Sequence, residues 1–274
     1  MTIIIMQHIK LFFCVLPSLL GFEVLANIDH KPNVFFCYGK LNPLEIRGFD
    51  YVILESKHFN ASDIKKVKKL NGKVLAYISL GEVNSQSKYY NKLKDIVLGR
   101  NENWDSYYLD LKSDSTVQVL FSEIDRILSE GYDGLFLDNI DNFTSFGFQK
   151  NQKSEIIGFI GKLKEKYPEH FILQNAGIEL VSDTHKFVDG IVVESVASDY
   201  TFSDNKYKLR EEKAYDDYIK KLNQLRRKYK FPIILVEYAD SAELYTEILT
   251  RIKKTNFLYF IGTIDLQGYP EFAK

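Results

Sequence analysis

Two stretches of this chain, Asp133-Gly-Leu-Phe-Leu-Asp138 and Asp189-Gly-Ile-Val-Val-Glu194, follow one pattern: an Asp-Gly turn, three apolar residues, then a carboxylate. A short apolar run bounded by a turn reads as a buried parallel strand. Its terminal acid then sits where the strand leaves the core. Two carboxylates at the ends of two buried strands can work as a pair. One protonates a leaving oxygen, and the other attacks carbon or activates water. The plainer alternative for either acid alone is a loop anchor. The repetition of the pattern favours a working pair.

Further polar groups close other apolar runs: Tyr77-Ile-Ser-Leu-Gly-Glu82, Gln174-Asn-Ala-Gly177 and Glu237-Tyr-Ala-Asp240. Asn139 and Asp141 follow Asp138, and Tyr38 ends the first run. The set offers acids, amides and phenols, without histidine or a basic side chain at a strand end. Phosphoryl transfer would want a cationic clamp or a metal cage, and a Ser-His-Asp site would want a histidine. Paired carboxylates among neutral hydrogen-bonding groups suit glycoside hydrolysis. The residues expected to touch substrate are Tyr38, Tyr77, Glu82, Asn139, Asp141, Asn175 and Tyr238. Each also has a structural reading, as a cap, a loop salt bridge or a packing ring. Trp104 either stacks on a sugar or anchors its polar loop. Asp138, in a polar setting, is read as the nucleophile. Glu194, behind Ile191-Val-Val193, is read as the general acid/base, because an apolar setting raises a carboxyl pKa.

The elements that position these groups alternate. Apolar runs lie at 34–38, 51–54, 74–80, 134–138, 171–175, 190–194, 233–238 and 257–263. Amphipathic helical patterns occupy 62–70 (Ser62 as cap), 116–128, 154–167, 211–229 and 241–254, with a weaker one at 182–188 and a helical turn at 43–47. Eight strands alternating with helices in one domain predict a single (β/α)8 TIM barrel. An open doubly wound sheet is the alternative, but no Gly-x-Gly-x-x-Gly follows the first run. Asp138 and Glu194 end the fourth and sixth strands. Alternate strands share a layer in such a barrel, so the two acids are expected together at its C-terminal mouth.

The chain has 274 residues, enough for one large domain. The 36 Lys+Arg balance 37 Asp+Glu, which gives no electrostatic footprint for nucleic acid. Lys10, the apolar run 11–20 and Val24-Leu-Ala26 read as a signal peptide cleaved after residue 26. The mature domain, 27–274, is then exported, with no membrane span. One cysteine, Cys37, remains in it, within an apolar run, and reads as a buried inert thiol. His30, His58, His170 and His185 form no metal-ligand spacing. No metal or cofactor is expected, and the chain is expected to be a monomer.

The ordered set Tyr77-Ile-Ser-Leu-Gly-Glu82, Asp133-Gly-Leu-Phe-Leu-Asp138-Asn-Ile-Asp141, Gln174-Asn-Ala-Gly177 and Val193-Glu194-Ser195 resembles glycoside hydrolase family 114, the endo-α-1,4-polygalactosaminidase-like barrels. The resemblance runs from about residue 34 to the C-terminus. It implies hydrolysis within chains of α-1,4-linked galactosamine, a constituent of some biofilm exopolysaccharides. It matches the family's catalytic Asp to Asp138 and its catalytic Glu to Glu194. Asn139 departs from the Thr more usual after that Asp. Two other function classes fit the same residues. One is a non-catalytic carbohydrate-binding barrel. The other is a hydrolase with a metal on Glu82, Asp138 and Asp141.

Overall fold

The computed structural model describes residues 33–273. The expected signal peptide and its cleavage point lie outside these residues. Within them, the twin Asp-Gly motifs turn out to be built twice in the same way. Asp133 accepts the Val74 N–H at 2.8 Å and pairs with Lys68 at 2.6 Å. Asp189 accepts the Ile172 N–H at 2.8 Å and pairs with Lys164 at 3.0 Å. Each carboxylate therefore satisfies a backbone donor at the start of the neighbouring strand. Glycine follows because a neighbouring strand leaves too little room for a side chain. A Cβ on Gly134 would lie 1.8 Å from the Phe171 carbonyl oxygen, and one on Gly190 would lie 2.9 Å from Leu173. Four buried residues then lead to a half-buried acid at the far end of each strand.

All eight expected strands form: Val34–Cys37, Tyr51–Glu55, Lys73–Ser79, Gly134–Asp138, Phe171–Asn175, Gly190–Glu194, Ile233–Tyr238 and Leu258–Gly262. They pair in chain order, parallel throughout. The first strand closes on the segment after the eighth, where Tyr38 N–H donates to the Leu266 carbonyl at 2.7 Å. The result is a nearly closed (β/α)8 TIM barrel. Phe36, Ile53, Leu75, Phe136, Leu173, Val192 and Ile234 are fully buried and share the registers that face the interior. Their burial is the main force holding the barrel.

Helices Ala61–Leu70, Asp114–Ser129, Lys153–Lys166, Glu212–Tyr229 and Ala242–Ile252 match the expected patterns. The cap of the first is Asn60, not Ser62. Asn60 and Asp63 exchange side-chain-to-backbone bonds in a capping box. Ser241 caps the last helix, its hydroxyl accepting from the Leu244 N–H. The 182–188 pattern shrinks to one helical turn, Val181–Thr184. No helix forms at 43–47; a turn occupies Pro43–Glu45.

Two antiparallel insertions at the strand ends escaped the sequence reading. A three-stranded sheet (Glu82–Asn84, Gly99–Asn101, Ser106–Tyr108) follows the third strand, and a hairpin (Ser198–Thr201, Lys206–Leu209) follows the sixth. Their strands are three or four residues long and half-exposed, so no period-two apolar signal announces them.

Candidate active site

Asp138 and Glu194 meet through one amide. Asn175, at the end of the fifth strand, donates from Nδ2 to Asp138 Oδ1 at 2.7 Å and to Glu194 Oε1 at 2.6 Å. Its side chain comes up between the two acid-bearing strands. Each remaining carboxylate oxygen accepts from a phenol. Tyr77 donates to Asp138 Oδ2 at 2.8 Å, and Tyr238 donates to Glu194 Oε2. Strands three, five and seven thus supply the hydrogen-bond donors, and strands four and six supply the acids. Tyr38, directly after strand one, packs on Tyr77 with ring centroids 4.7 Å apart. Burial and the charges of Asp138 and Glu194 push its hydroxyl well above the usual phenol pKa.

The strand ends are cut off sharply. Asn139, Ala176 and Ser195, the residues directly after Asp138, Asn175 and Glu194, all take left-handed backbone angles, with φ of 59°, 55° and 53°. For a residue with a Cβ this costs about 1–2 kcal/mol. The gain is positional: the chain turns away at once and leaves all three side chains at the rim.

The two acids have different electrostatics. Burial raises Glu194, and the neighbouring Asp138 charge raises it further, to about 7. Burial raises Asp138 as well, but the donors of Asn175, Tyr77 and the Asn139 backbone oppose it. Asp141 keeps an exposed edge at the mouth, yet desolvation by the surrounding walls and the charge of Asp138 lift it to about 6. No Lys or Arg pairs with Asp138, Asp141 or Glu194 among the described residues.

Glu82 and Asn139 are tied up by neighbouring side chains. Glu82 is buried and accepts from Ser106 Oγ, from Asn101 at 3.1 Å and from Asn142 at 2.9 Å. It ties the three-stranded insertion to the loop after Asp138. Asn139 Oδ1 accepts from Ser79 Oγ at 2.5 Å. Both support the loop that carries Asp141. Trp104 lies in the turn between two insertion strands, edge-on to Phe202 of the other hairpin at 5.1 Å. Cys37 is fully buried, and burial raises its thiol to about 11, so it stays protonated at neutral pH. Among the described residues, no group of three or more His, Cys, Asp or Glu is arranged to hold a metal ion.

Two acids gain roles that the sequence reading did not assign. Glu55, ending the second strand, is in register with Tyr77 and adds negative charge felt by Tyr38 and Tyr77. Glu237 was grouped with the mouth residues but is fully buried on the opposite face of its strand from Tyr238. It accepts from the backbone of Val196 (3.1 Å), Ala197 (3.0 Å) and Ser198 (2.7 Å), and from Ser198 Oγ (2.6 Å). This clamp fixes the segment that begins two residues after Glu194. Strand alternation held the clue, since adjacent residues face opposite sides. Glu237→Ala leaves several buried donors unpaired and should cost about 3 kcal/mol. In calorimetry that is a fall in Tm of about 6–12 °C. Turnover should fall with it as Glu194 loses its anchor. An unchanged Tm and an unchanged rate would show that the loop is held otherwise.

The family model for glycoside-hydrolase family GH114 matches residues 29–274. The chain belongs to family GH114. It is a glycoside hydrolase, and the GH114 barrel agrees with solved structures. The glycoside hydrolase domain of PelA from Pseudomonas aeruginosa superposes with a TM-score of 0.77 at 24% identity, covering 88% of this chain and 98% of that one. Aspergillus fumigatus Ega3, solved in complex with galactosamine, gives a TM-score of 0.68 at 19% identity, covering 88% and 94%. At these identities the likeness speaks for the fold. An uncharacterised protein of Methanocaldococcus jannaschii is 27% identical over 215 residues, which are 73% of this GH114 chain and 61% of that relative. An uncharacterised Thermotoga maritima protein is 21% identical over 283 residues, covering 90% and 85%. This chain therefore spans about three fifths of the first relative's length and most of the second's. No helix among the described residues is long and apolar enough to cross a membrane.

Proposed function

We propose that this glycosidase is exported and cleaves internal bonds of a galactosamine-containing polysaccharide. In this reading Asp138 is the nucleophile, Glu194 is the general acid/base, and the anomeric configuration is retained. The observation that carries it is the Asn175 amide with one carboxylate on each hydrogen. An oxygen of each acid lies one hydrogen bond from the same nitrogen. That closeness supports a retaining pair, whose carboxyl groups lie roughly 5–5.5 Å apart, over an inverting pair at roughly 6.5–9.5 Å, which must admit a water.

Asp138 attacks the anomeric carbon while Glu194 gives its proton to the departing oxygen. Glu194, now ionised, then takes a proton from the water that attacks the glycosyl-enzyme bond. Tyr77 and Tyr238 hold the two carboxylates in place through both steps. Tyr38, Asp141 and the exposed rim offer contacts to sugar hydroxyls and amines. Unpaired negative charge at the mouth favours a cationic sugar. The ligand of one structural neighbour points the same way, because Ega3 was solved in complex with galactosamine. Secretion, with cleavage after residue 26, and a monomeric state complete the reading.

The test is a panel of defined polymers: galactosamine, N-acetylgalactosamine, glucosamine and neutral galactose chains. The chain lacking residues 1–26 is expected to shorten the galactosamine polymer into mid-sized fragments and to leave the neutral chain intact. Release of single sugars from chain ends, or a preference for the neutral polymer, would overturn the endo or the amino-sugar part of the reading.

A further inference from the structure

The loop after Asp138 holds aromatic side chains in water, although it is one of the better-tied loops of the protein. Gly147 N–H donates to the Thr144 carbonyl at 3.0 Å, and Gln149 N–H donates to the Asn142 carbonyl at 2.8 Å. The buried Gln149 side chain donates to the Gly81 and Leu109 carbonyls at 3.0 and 2.7 Å. Glu179 accepts from both the N–H and the hydroxyl of Ser145. A Cβ on Gly147 would lie 2.0 Å from the Asn142 carbonyl oxygen, so the chain has no slack there. This tied loop nevertheless presents Phe146 at 96% and Phe148 at 58% exposure.

Phe148 is also oriented. It stacks on Tyr108 with centroids 4.2 Å apart and planes 14° from parallel. Gly99 lies against the pair, with ring atoms of Phe148 and Tyr108 3.4 and 4.0 Å from where its Cβ would be, the range of ordinary contact. One face of Phe148 is thus spent on Tyr108, and exposed ring surface remains. Tyr108 in turn feels the charges of Glu82 and Asp141, which raise its hydroxyl after burial does. Asp141 starts the same loop and is three residues from Asp138. The Asp141 charge felt by Tyr108 puts the stacked rings near the acidic mouth.

We propose that Phe148, backed by Tyr108, is a stacking subsite for a pyranose ring of the same polymer, a sugar flanking the one held at Asp138. The C–H face of a pyranose fits a flat aromatic surface, and Asp141 beside it suits an amine on that sugar or the next. A preformed platform on a tied loop costs little ordering on binding. This subsite rests on the proposed substrate reading, and it adds what that reading lacks, a reason for the enzyme to prefer long chains.

The experiment is calorimetric binding of galactosamine oligomers of increasing length to the Asp138→Asn chain, which cannot consume them. Phe148→Ala, Phe148→Leu and Phe148→Trp are then added to that background. Leu still covers Tyr108, so it separates loss of the ring face from loss of the fold. Affinity is expected to rise with oligomer length in the parent. Ala and Leu should each lower it about 5–10-fold for long oligomers, a loss of the size expected for one aromatic stacking contact, and Trp should keep it. Long-oligomer affinity unchanged in Ala and Leu would overturn the platform and leave the substrate reading standing. Equal losses for the single sugar and the long oligomer would overturn it too. If the parent binds no galactosamine oligomer, the substrate reading fails. The same variants on the polysaccharide that the wild-type chain does cleave then decide the platform.

Discussion

Asp138→Asn is expected to abolish hydrolysis of every glycosidic substrate, polymer or activated aryl glycoside alike, by at least about ten-thousandfold. An amide in that position cannot form the covalent intermediate, and no leaving group is good enough to bypass that step. The fold should survive, because Asn keeps the shape: its Oδ1 can still accept from Asn175, and its Nδ2 can donate to the Tyr77 hydroxyl oxygen. A second readout accompanies the loss. The Asp138 charge is part of what raises Glu194, so its removal should bring the Glu194 pKa down from about 7. Carbon-labelled glutamate followed by NMR would report that shift. Turnover within tenfold of wild type, with a folded variant, would sink the nucleophile assignment. Azide rescue confined to the Asp138 variant would exchange the two roles.

Glu194→Gln is expected to sort substrates by leaving group. Turnover on the polymer should fall by about a thousandfold or more, the scale of lost general-acid assistance. An aryl glycoside with a good leaving group needs little protonation and should lose far less in the first step. Azide should then restore part of its turnover, since azide attacks a glycosyl-enzyme without a base. The pH profile gives an independent check. In the wild type the rate should decline above about pH 7, where Glu194 loses its proton, and that limb should vanish in the variant. Stability follows the same group. The folded pKa lies above the ordinary 4.5, so the proton is held more tightly in the folded state. The stabilisation is complete below about pH 4.5 and is lost as pH rises through about 7. Wild type should therefore lose up to about 3 kcal/mol relative to Glu194→Gln across that window. Denaturant titrations at several pH values would measure it. A difference that is flat with pH would mean that the buried pair carries no shared strain of charge.

The barrel could be read from the chain because its signals are local. Apolar runs of strand length, bounded by Gly and Asp and separated by amphipathic helices, name a (β/α)8 order before any contact is known. The repeated Asp-Gly start and acidic end also located Asp138 and Glu194, since strand length and parity bring both acids to the same rim. Tertiary structure decided which acids are tied up by buried donors and which meet at the rim. Glu82, Asp138, Glu194 and Glu237 all lie at or beside the C-terminal end of a barrel strand. Glu82 and Glu237 are consumed by buried backbone and side-chain donors, while Asp138 and Glu194 face each other across Asn175. That division depends on partners 19 to 60 residues away, which no local period encodes. The Phe148–Tyr108 stack and the two insertions are of the same kind. They consist of short segments without a repeating pattern, and only the folded barrel brings them to one mouth.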